Sequence, residues 1–219
     1  MPRTPFPLGR ALQHDEASRL FPAPADTPIE SRRWPHVGKV LDQGQVGSCT
    51  GNAAAQSLNH RPNHLNGSLV MNEADALRIY GLATQLDGFP GTYPEEDTGS
   101  SGLAAAKACQ QLGYISGYTH AFGLDHLLAA LMVGPLIVGT DWHEDMFNPD
   151  PLGIVKPTGA VVGGHEYVVD GVHVAPRMIR FLNSWSNGWG HRGHFWMTFD
   201  DFATLLGNDG DAIQFTVAP

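Results

Sequence analysis

Cysteine is scarce in this chain, with only Cys49 and Cys109 among 219 residues. Small domains that depend on disulfides carry many more cysteines, so a disulfide framework is excluded. If one cysteine is a reactive thiol, the other has no partner within the chain. We therefore expect Cys109, which stands among alanines, to be a buried and unmodified thiol, and we expect a reducing compartment.

Positive charge and long apolar runs are also lacking. The chain has 13 basic residues against 22 acidic ones, which gives a net charge of −9. A nucleic-acid site requires a basic surface, so we expect no nucleic-acid partner. No apolar run approaches the roughly 18 residues of a membrane span, and the first residues lack the apolar segment of a secretory signal. These absences predict no membrane partner and a cytoplasmic or virion-associated protein.

The histidines do not follow a metal-ligand pattern. A metal site needs several ligands at short intervals, and the pair His191 and His194 alone is a weak signal. We therefore expect neither a metal ion nor another cofactor.

Glycine and proline, by contrast, are plentiful, with 26 and 16 residues. That content favours loops and short strands, and a hydrophobic fraction of 42% is sufficient for a substantial core. The length suits one large domain or two small lobes around a cleft. Prolines at 22, 24 and 35 block a helix near the start, so residues 1–35 are predicted to form an extended N-terminal arm.

Helical signals come first along the chain and strand signals later, which indicates an α+β fold. Asn72 and Asp75 have the spacing of a capping box, and Ser100 or Ser101 is placed to cap a further helix that Gly113 would end. The predicted helices cover residues 49–58, 72–86, 103–112 and 125–132. The predicted strands cover residues 135–139, 167–172, 178–182, 195–199 and 212–217.

The chemistry is carried by a cysteine, a histidine and an asparagine in that order. Cys49 stands in a polar, glycine-containing stretch at the expected start of a helix, where the helix dipole favours a thiolate. His165 follows two glycines and precedes an apolar strand, and glycine there allows another backbone to approach closely. Asn183 can accept the imidazole N–H and hold the ring in one tautomer. Together they make a nucleophile, its base and the residue that orients the base.

Two further residues have supporting roles in this interpretation. Trp185 could shield the bond between histidine and asparagine from water, where that bond is worth more. Gln43 lies six residues before the cysteine. Its side-chain amide and the backbone N–H of Cys49 could both donate to a developing oxyanion.

These motifs resemble the papain family of cysteine peptidases. The resemblance rests on Gln43, Gly47-Ser48-Cys49, Gly164-His165, and the block Asn183-Ser184-Trp185 with Gly188-Trp189-Gly190. The stretches 97–102 and 134–138 are similar to the bacterial and phage branch of that family. The resemblance extends from about residue 35 to the end of the chain.

The resemblance implies a fold, a substrate and a set of contacts. A papain-like domain over 36–219 would have a helical lobe at about 45–125 and an antiparallel, β-barrel-like lobe at about 126–215, with the active-site cleft between them. Its substrate would be a polypeptide, cleaved through an acyl-thioester on Cys49 with His165 as general base and acid. Gly99, Ser100 and Gly164 would bind that substrate.

The chain departs from the family pattern at several places. Val46 stands where the family commonly has a disulfide-bonded cysteine, and Thr50 stands where an aromatic residue usually follows the nucleophile. About 35 residues precede the core, too few for the helical pro-domain of the family. We therefore expect the arm to pack against the strand lobe as a structural element, and we expect a chain that is active without processing.

Two other functions remain open from the sequence. The fold could serve as a structural or adaptor module of a phage or bacterial assembly, with a protein assembly partner and little or no turnover. Alternatively, the same thiol chemistry could hydrolyse the peptide cross-links of a cell wall.

Overall fold

The computed structural model describes residues 4–65 and 67–217. In that part of the chain five α-helices and seven β-strands form. The helices are α1 (Cys49–Leu58), α2 (Glu73–Leu86), α3 (Gly102–Gln111), α4 (Leu124–Leu131) and α5 (Phe199–Gly207). The strands are β1 (Arg32–Arg33), β2 (Gly117–His120), β3 (Leu136–His143), β4 (Val161–His173), β5 (Met178–Leu182), β6 (His194–Thr198) and β7 (Asp211–Thr216).

The strands form one antiparallel sheet in the order β2-β7-β3-β4-β5-β6, with β1 paired to β4. The α+β fold class predicted from the sequence is confirmed. The sheet is open rather than closed, because the end strands β2 and β6 do not pair with each other. The strand-rich part is therefore a curved layer between helices and not a closed barrel.

Side chains alternate between the two faces of this sheet and contribute to two separate hydrophobic cores. Along β3, Leu136 and Val138 belong to the core under α4 and α5, whereas Ile137 belongs to the core under α1, α2 and α3. The same alternation occurs on β4, where Tyr167 and Val168 join opposite cores. Successive side chains of a strand point to opposite faces, so each strand positions residues for both layers.

The predicted helix boundaries agree with the observed ones to within a residue or two because the capping residues are local. Asn72 and Asp75 form the predicted capping box at the start of α2. The Ser101 hydroxyl accepts the N–H of Ala104 and so caps α3. Gly113, just beyond the end of α3, has φ of +76°, a conformation that glycine adopts without strain.

The strand predictions were less complete. β1, β2 and helix α5 were not anticipated, and β4 runs from Val161 rather than from residue 167. Phe199 was assigned to the preceding strand but begins α5, because the Thr198 hydroxyl accepts the N–H of Asp201 and caps a helix there. The longer β4 has a functional consequence, since it places His165 within a strand.

Candidate active site

Cys49 is the first residue of α1 and is completely buried. The backbone N–H groups of Thr50, Glu166 and Gly9 interact with its sulfur and act to lower the pKa of the thiol, against the raising effect of burial. The first two come from the helix and from β4. The third comes from the N-terminal arm, which therefore reaches the thiol itself.

His165 lies on β4, also fully buried, and its Nε2 is 2.8 Å from Asn183 Oδ1. The same oxygen accepts the backbone N–H of Ser184 at 2.7 Å, which fixes the orientation of the amide. The imidazole must then donate from Nε2, which leaves Nδ1 as the proton acceptor. Nδ1 has no hydrogen-bond partner among the described residues.

Aromatic rings enclose this histidine. Trp185 stacks on the imidazole at 4.6 Å between centroids and 22° between planes. Trp142 contacts it edge-on at 4.9 Å. Both indoles are buried, so they exclude water from the bond between His165 and Asn183.

Gln43 is hydrogen-bonded to Ser184, the residue that follows Asn183. Its Oε1 accepts the hydroxyl of Ser184 at 2.7 Å, which orients the side-chain amide. Its Nε2 donates to Val46 O at 2.9 Å and to Pro7 O at 3.3 Å. The amide that was predicted to stabilise an oxyanion thus donates to a carbonyl of the arm.

The arm runs through the predicted cleft and is hydrogen-bonded on both sides. Gly9 and Arg10 donate their N–H groups to Gly164 O at 3.2 and 3.0 Å. Ala11 donates to Ser100 O at 2.7 Å, and Ser100 donates to Gly9 O at 2.8 Å. The backbone groups of Ser100 and Gly164, predicted to bind substrate, are therefore occupied by the chain's own N-terminal segment.

The fit of the arm is close. A Cβ atom added to Gly9 would lie 1.8 Å from Gly47 O, and one added to Gly99, whose φ is +73°, would lie 2.5 Å from Gly9 O. Phe6 continues the arm and stacks on Trp185 at 4.6 Å. Further along the arm, β1 pairs with β4, and Ala23 and Trp34 pack in the core of the strand-rich part, as expected. The unexpected part is residues 6–11, which lie between the loop at Ser100 and β4 and cover the thiol.

Burial determines the protonation of Cys49 and His165. Desolvation raises the pKa of the Cys49 thiol to about 12. Desolvation also lowers the pKa of His165 to about 4, against the raising effect of its bond to Asn183. A thiolate and an imidazolium would both be costly in a dry site, so Cys49 is a neutral thiol and His165 is a neutral imidazole.

Cys109 differs from Cys49 in its surroundings. It lies inside α3 with no exposed surface, and burial alone raises the pKa of its thiol. Both cysteines are free. The prediction of a buried, unpaired Cys109 is confirmed.

The sequence reasoning missed three charged residues near the cleft: Arg10, Glu166 and Asp211. Arg10 forms an ion pair with Asp211, and Glu166 is completely buried directly after His165. The signal for Glu166 was present in the sequence, because a carboxylate inside an apolar strand segment is unusual. Nothing local could have paired residue 10 with residue 211.

Residues 4–65 and 67–217 contain no group of three or more His, Cys, Asp or Glu side chains that could hold a metal ion. None of the helices described there is both long and apolar enough to cross a membrane.

Comparison with solved structures identifies the fold. The chain is similar to xylellain, a cysteine protease from Xylella fastidiosa, with a TM-score of 0.80 and 21% identity over 100% of this chain and 99% of that one. It is also similar to digestive procathepsin L 3 of Tenebrio molitor larval midgut, with a TM-score of 0.64 and 16% identity over 96% of this chain and 84% of that one. A third similar structure is the Carica candamarcensis cysteine protease CMS1MS2 in complex with E-64, with a TM-score of 0.61 and 16% identity over 84% of this chain and 95% of that one.

No family model and no curated protein matches the sequence. The structural neighbours, at 16% to 21% identity, nevertheless agree on one architecture. The chain has the papain-like fold that its motifs implied.

Proposed function

We propose that this chain is a cysteine endopeptidase that acts on polypeptides. The observation that carries the proposal is the orientation of His165. Its Nε2 is held by Asn183, its Nδ1 is left without a partner among the described residues, and its strand neighbour Glu166 offers a backbone N–H to the sulfur of Cys49. An imidazole held in one tautomer with a free acceptor nitrogen, next to a residue that interacts with the thiol, supports the roles of nucleophile and general base.

The reaction proceeds in two stages. Nδ1 of His165 takes the thiol proton as the sulfur of Cys49 attacks the peptide carbonyl carbon, and the carbonyl becomes a tetrahedral oxyanion. His165 then gives the proton to the departing amine, which leaves an acyl-thioester. A water molecule, deprotonated by His165, attacks the thioester and releases the carboxylic acid and the thiol. Asn183 orients the ring throughout.

Gln43 supplies the oxyanion donor in this mechanism. Its amide is oriented by Ser184 and now donates to Pro7 O of the arm and to Val46 O. When a substrate replaces the arm, the same Nε2 and the backbone N–H of Cys49 donate to the oxyanion. A donor positioned in advance stabilises charge that develops only in the transition state.

The chain with its arm in the cleft is a latent form in this proposal. A substrate would need the backbone groups of Ser100 and Gly164, and both are hydrogen-bonded to residues 9–11. The neutral thiol and imidazole also lack the ion pair that makes a thiol nucleophilic. Turnover therefore requires displacement or removal of the arm, which reverses the expectation of a chain active from the start.

The test compares the full chain with one that lacks residues 2–11. We expect the shortened chain to hydrolyse a generic fluorogenic peptide faster and to react faster with an epoxide thiol inhibitor. In the shortened chain, Cys49→Ser and His165→Ala should both abolish turnover, and Asn183→Ala should be milder because it removes only orientation. Cys109→Ser is the matched control, since that thiol is buried within α3.

A second function is favoured by one observation. The arm is seated with hydrogen bonds on both sides and leaves the thiol with no exposed surface, as a permanently closed adaptor module would. If neither the full nor the shortened chain cleaves any peptide or cell-wall cross-link, and Cys49 resists labelling in both, the adaptor function replaces the peptidase.

A further inference from the structure

The side chain of Arg10 is almost completely buried, with 3% of its surface exposed. Its Nε is 3.0 Å from Asp211 Oδ1, and its Nη2 lies 2.5 Å from the same oxygen and 2.6 Å from Asp209 O. A guanidinium is rarely buried unless it is paired. The arm therefore inserts a cation into a pocket that matches it.

The floor of this pocket carries a second carboxylate. Glu166 has no exposed surface, and neither of its carboxylate oxygens has a hydrogen-bond partner within residues 4–65 and 67–217. A buried carboxyl without a partner is unfavourable for stability, so the fold does not gain from this side chain. Its position suggests that the partner is a cation that enters the pocket.

Glycines form the walls around these carboxylates. A Cβ on Gly102 would lie 2.5 Å from Glu166 Oε1 and 2.8 Å from Asp211 Oδ2. A Cβ on Gly139 would lie 2.5 Å from both Glu166 Oε2 and Arg10 Nε. Any side chain at either position would fill the space that now holds two carboxylates and one guanidinium.

The electrostatics of the pocket favour an occupied state. Burial and the charge of Asp211 raise the pKa of Glu166 well above its usual range, and the guanidinium of Arg10 offsets only part of that rise. Without a cation, two carboxyl groups would face each other in a poorly solvated space. A guanidinium relieves that repulsion.

The pocket adjoins the cleft directly. Glu166 follows His165 on β4, so its side chain points to the opposite face of the strand from the imidazole. Arg10, whose side chain fills the pocket, donates its own N–H to Gly164 O, one residue before His165. A peptide bound along Gly164 and Ser100 would thus place one of its side chains here.

We propose that the pocket formed by Glu166, Asp211, Gly102 and Gly139 selects a basic side chain in the polypeptide substrate. Arg10 of the arm is the built-in occupant that the substrate replaces. Arginine is preferred to lysine, because its planar fork reaches Asp211 and the carbonyl of Asp209 together. This inference rests on the proposed peptidase function, because it assumes that the peptide bound in the cleft is a substrate.

The first experiment uses the full chain with Arg10→Ala, which empties the pocket and removes the ion pair with Asp211 that anchors the arm, so that a peptide substrate can displace the arm. Fluorogenic peptides carry Arg, Lys, citrulline or Leu in turn at each of the three residues before the cleaved bond. Citrulline matches arginine in shape but is uncharged. At one position we expect kcat/KM for Arg to exceed that for citrulline by about 10- to 100-fold, as a charge-assisted hydrogen bond predicts. Equal rates for Arg and citrulline at all three positions would overturn the proposal.

Two substitutions then locate the selectivity. Glu166→Gln and Asp211→Asn, each added to Arg10→Ala, should reduce the ratio of Arg to citrulline at least several-fold. Asp200→Asn, which removes the same charge from an exposed site beside Arg177, should leave the ratio unchanged. If Asp211→Asn fails to fold, the ratio of Arg to citrulline in Glu166→Gln still tests the pocket, because that substitution changes the side-chain volume very little. An unchanged ratio in Glu166→Gln would remove that residue from the pocket's function.

A binding measurement separates this proposal from the peptidase function. Calorimetry with the full chain carrying Cys49→Ala and Arg10→Ala compares the same peptides without turnover. Tighter binding of the Arg peptide than of its citrulline twin, by at least tenfold, supports the pocket even if no variant is ever active. Hydrolysis without this preference would preserve the peptidase and reject the pocket, and equal or absent binding would reject it as well.

Discussion

Strand β4 contains two fully buried carboxylates, Asp170 and Glu166, and their surroundings are opposite. Asp170 Oδ2 accepts a hydrogen bond from Arg180 Nη1 at 2.8 Å and contacts His60 Nε2 at 3.1 Å. Together with His194, whose lowering effect is the largest, these contacts outweigh burial and hold the pKa of Asp170 well below its usual range. The partners lie on β5, on β6 and just beyond the end of α1, so they form part of the fold itself.

Glu166, four residues earlier, has no such partners among the described residues, and burial raises its pKa. The nearest cation is Arg10, which belongs to the arm. The difference teaches that two equally buried carboxylates on one strand can have opposite electrostatic surroundings. What distinguishes Glu166 is that its nearby cation comes from the arm, which we propose is displaced by substrate.

The largest expected effect concerns stability at Asp170. Asp170→Asn should lower the free energy of unfolding by about 3–5 kcal/mol, because it leaves the guanidinium of Arg180 buried without its carboxylate. Glu166→Gln should change it by less than about 1 kcal/mol, since no hydrogen bond is lost. Urea denaturation of both variants checks this comparison. Equal losses would show that the two carboxylates have the same structural role.

The second prediction concerns catalysis in the chain that lacks residues 2–11, where we expect a change near the proposed active site to matter and a change at Asp170 not to. Gln43→Ala should lower kcat by about 10²–10³ with little change in KM, the effect of losing one oxyanion donor. Asp170→Asn, assayed where it remains folded, should retain kcat. A variant of Asp170 that loses turnover while still folded would contradict the separation of the two regions.

The third prediction concerns pH and compares two histidines. Burial lowers the pKa of His36, near Asp170, to about 3 and that of His165 to about 4. Below pH 6.5 these two imidazoles bind protons in the unfolded chain, whereas in the folded chain their lowered pKa values keep them neutral. Each histidine should therefore lower the free energy of unfolding by about 1.4 kcal/mol per pH unit as the pH falls from 6.5 toward the pKa of that histidine in the folded chain.

This slope is measured by urea unfolding between pH 6.5 and 5. The Glu166→Gln background is used because the raised pKa of that carboxyl stabilises the fold as the pH falls and would oppose the slope. Deleting residues 2–11 should remove the contribution of His165, which gains access to water, and leave that of His36. An identical slope with and without the arm would show that the arm does not desolvate the catalytic histidine.

The smallest expected effect gives a baseline outside both regions. Asn72→Ala removes the cap of α2, where the side chain accepts from Ala74 N at 2.8 Å on an exposed surface. The cost should be about 1 kcal/mol in urea denaturation, with no change in kcat. A loss as large as that of Asp170→Asn would mean that the comparison reports general fragility of the fold rather than buried charge.

Much of the fold could be predicted because its signals are local. Asn72 and Ser101 are adjacent to the helices that they cap, so α2 and α3 were placed within a residue or two. Helices α1 and α4 were placed as closely, although neither has a side-chain cap. The strands were harder. β2 and β1 are short and exist only because β7 and β4 provide partners. Closure of the sheet likewise depends on its two end strands, and no local pattern encodes whether they meet.

The candidate site divides in the same way. Cys49, His165, Asn183 and Gln43 were selected from motifs, and their roles stay predictions that the proposed variants test. The arm was predicted to contact the strand-rich part, as β1 and Trp34 do, but its prolines gave no signal that residues 6–11 would enter the cleft. Gly9 fits only because Gly47 and Gly99 face it, which is a contact between three separate segments.

The sequence by itself determined the order of helices and strands, the likeness to the papain fold and the residues proposed for the chemistry. Those features depend on side chains that are close in sequence or on motifs with a distinctive composition. Only the tertiary structure decided that the arm covers the thiol, that Cys49 and His165 are neutral there, and that Arg10 forms an ion pair with Asp211 near Glu166. The reason is that burial and ion pairing depend on which distant segments exclude water from one another, and that is a property of the folded chain.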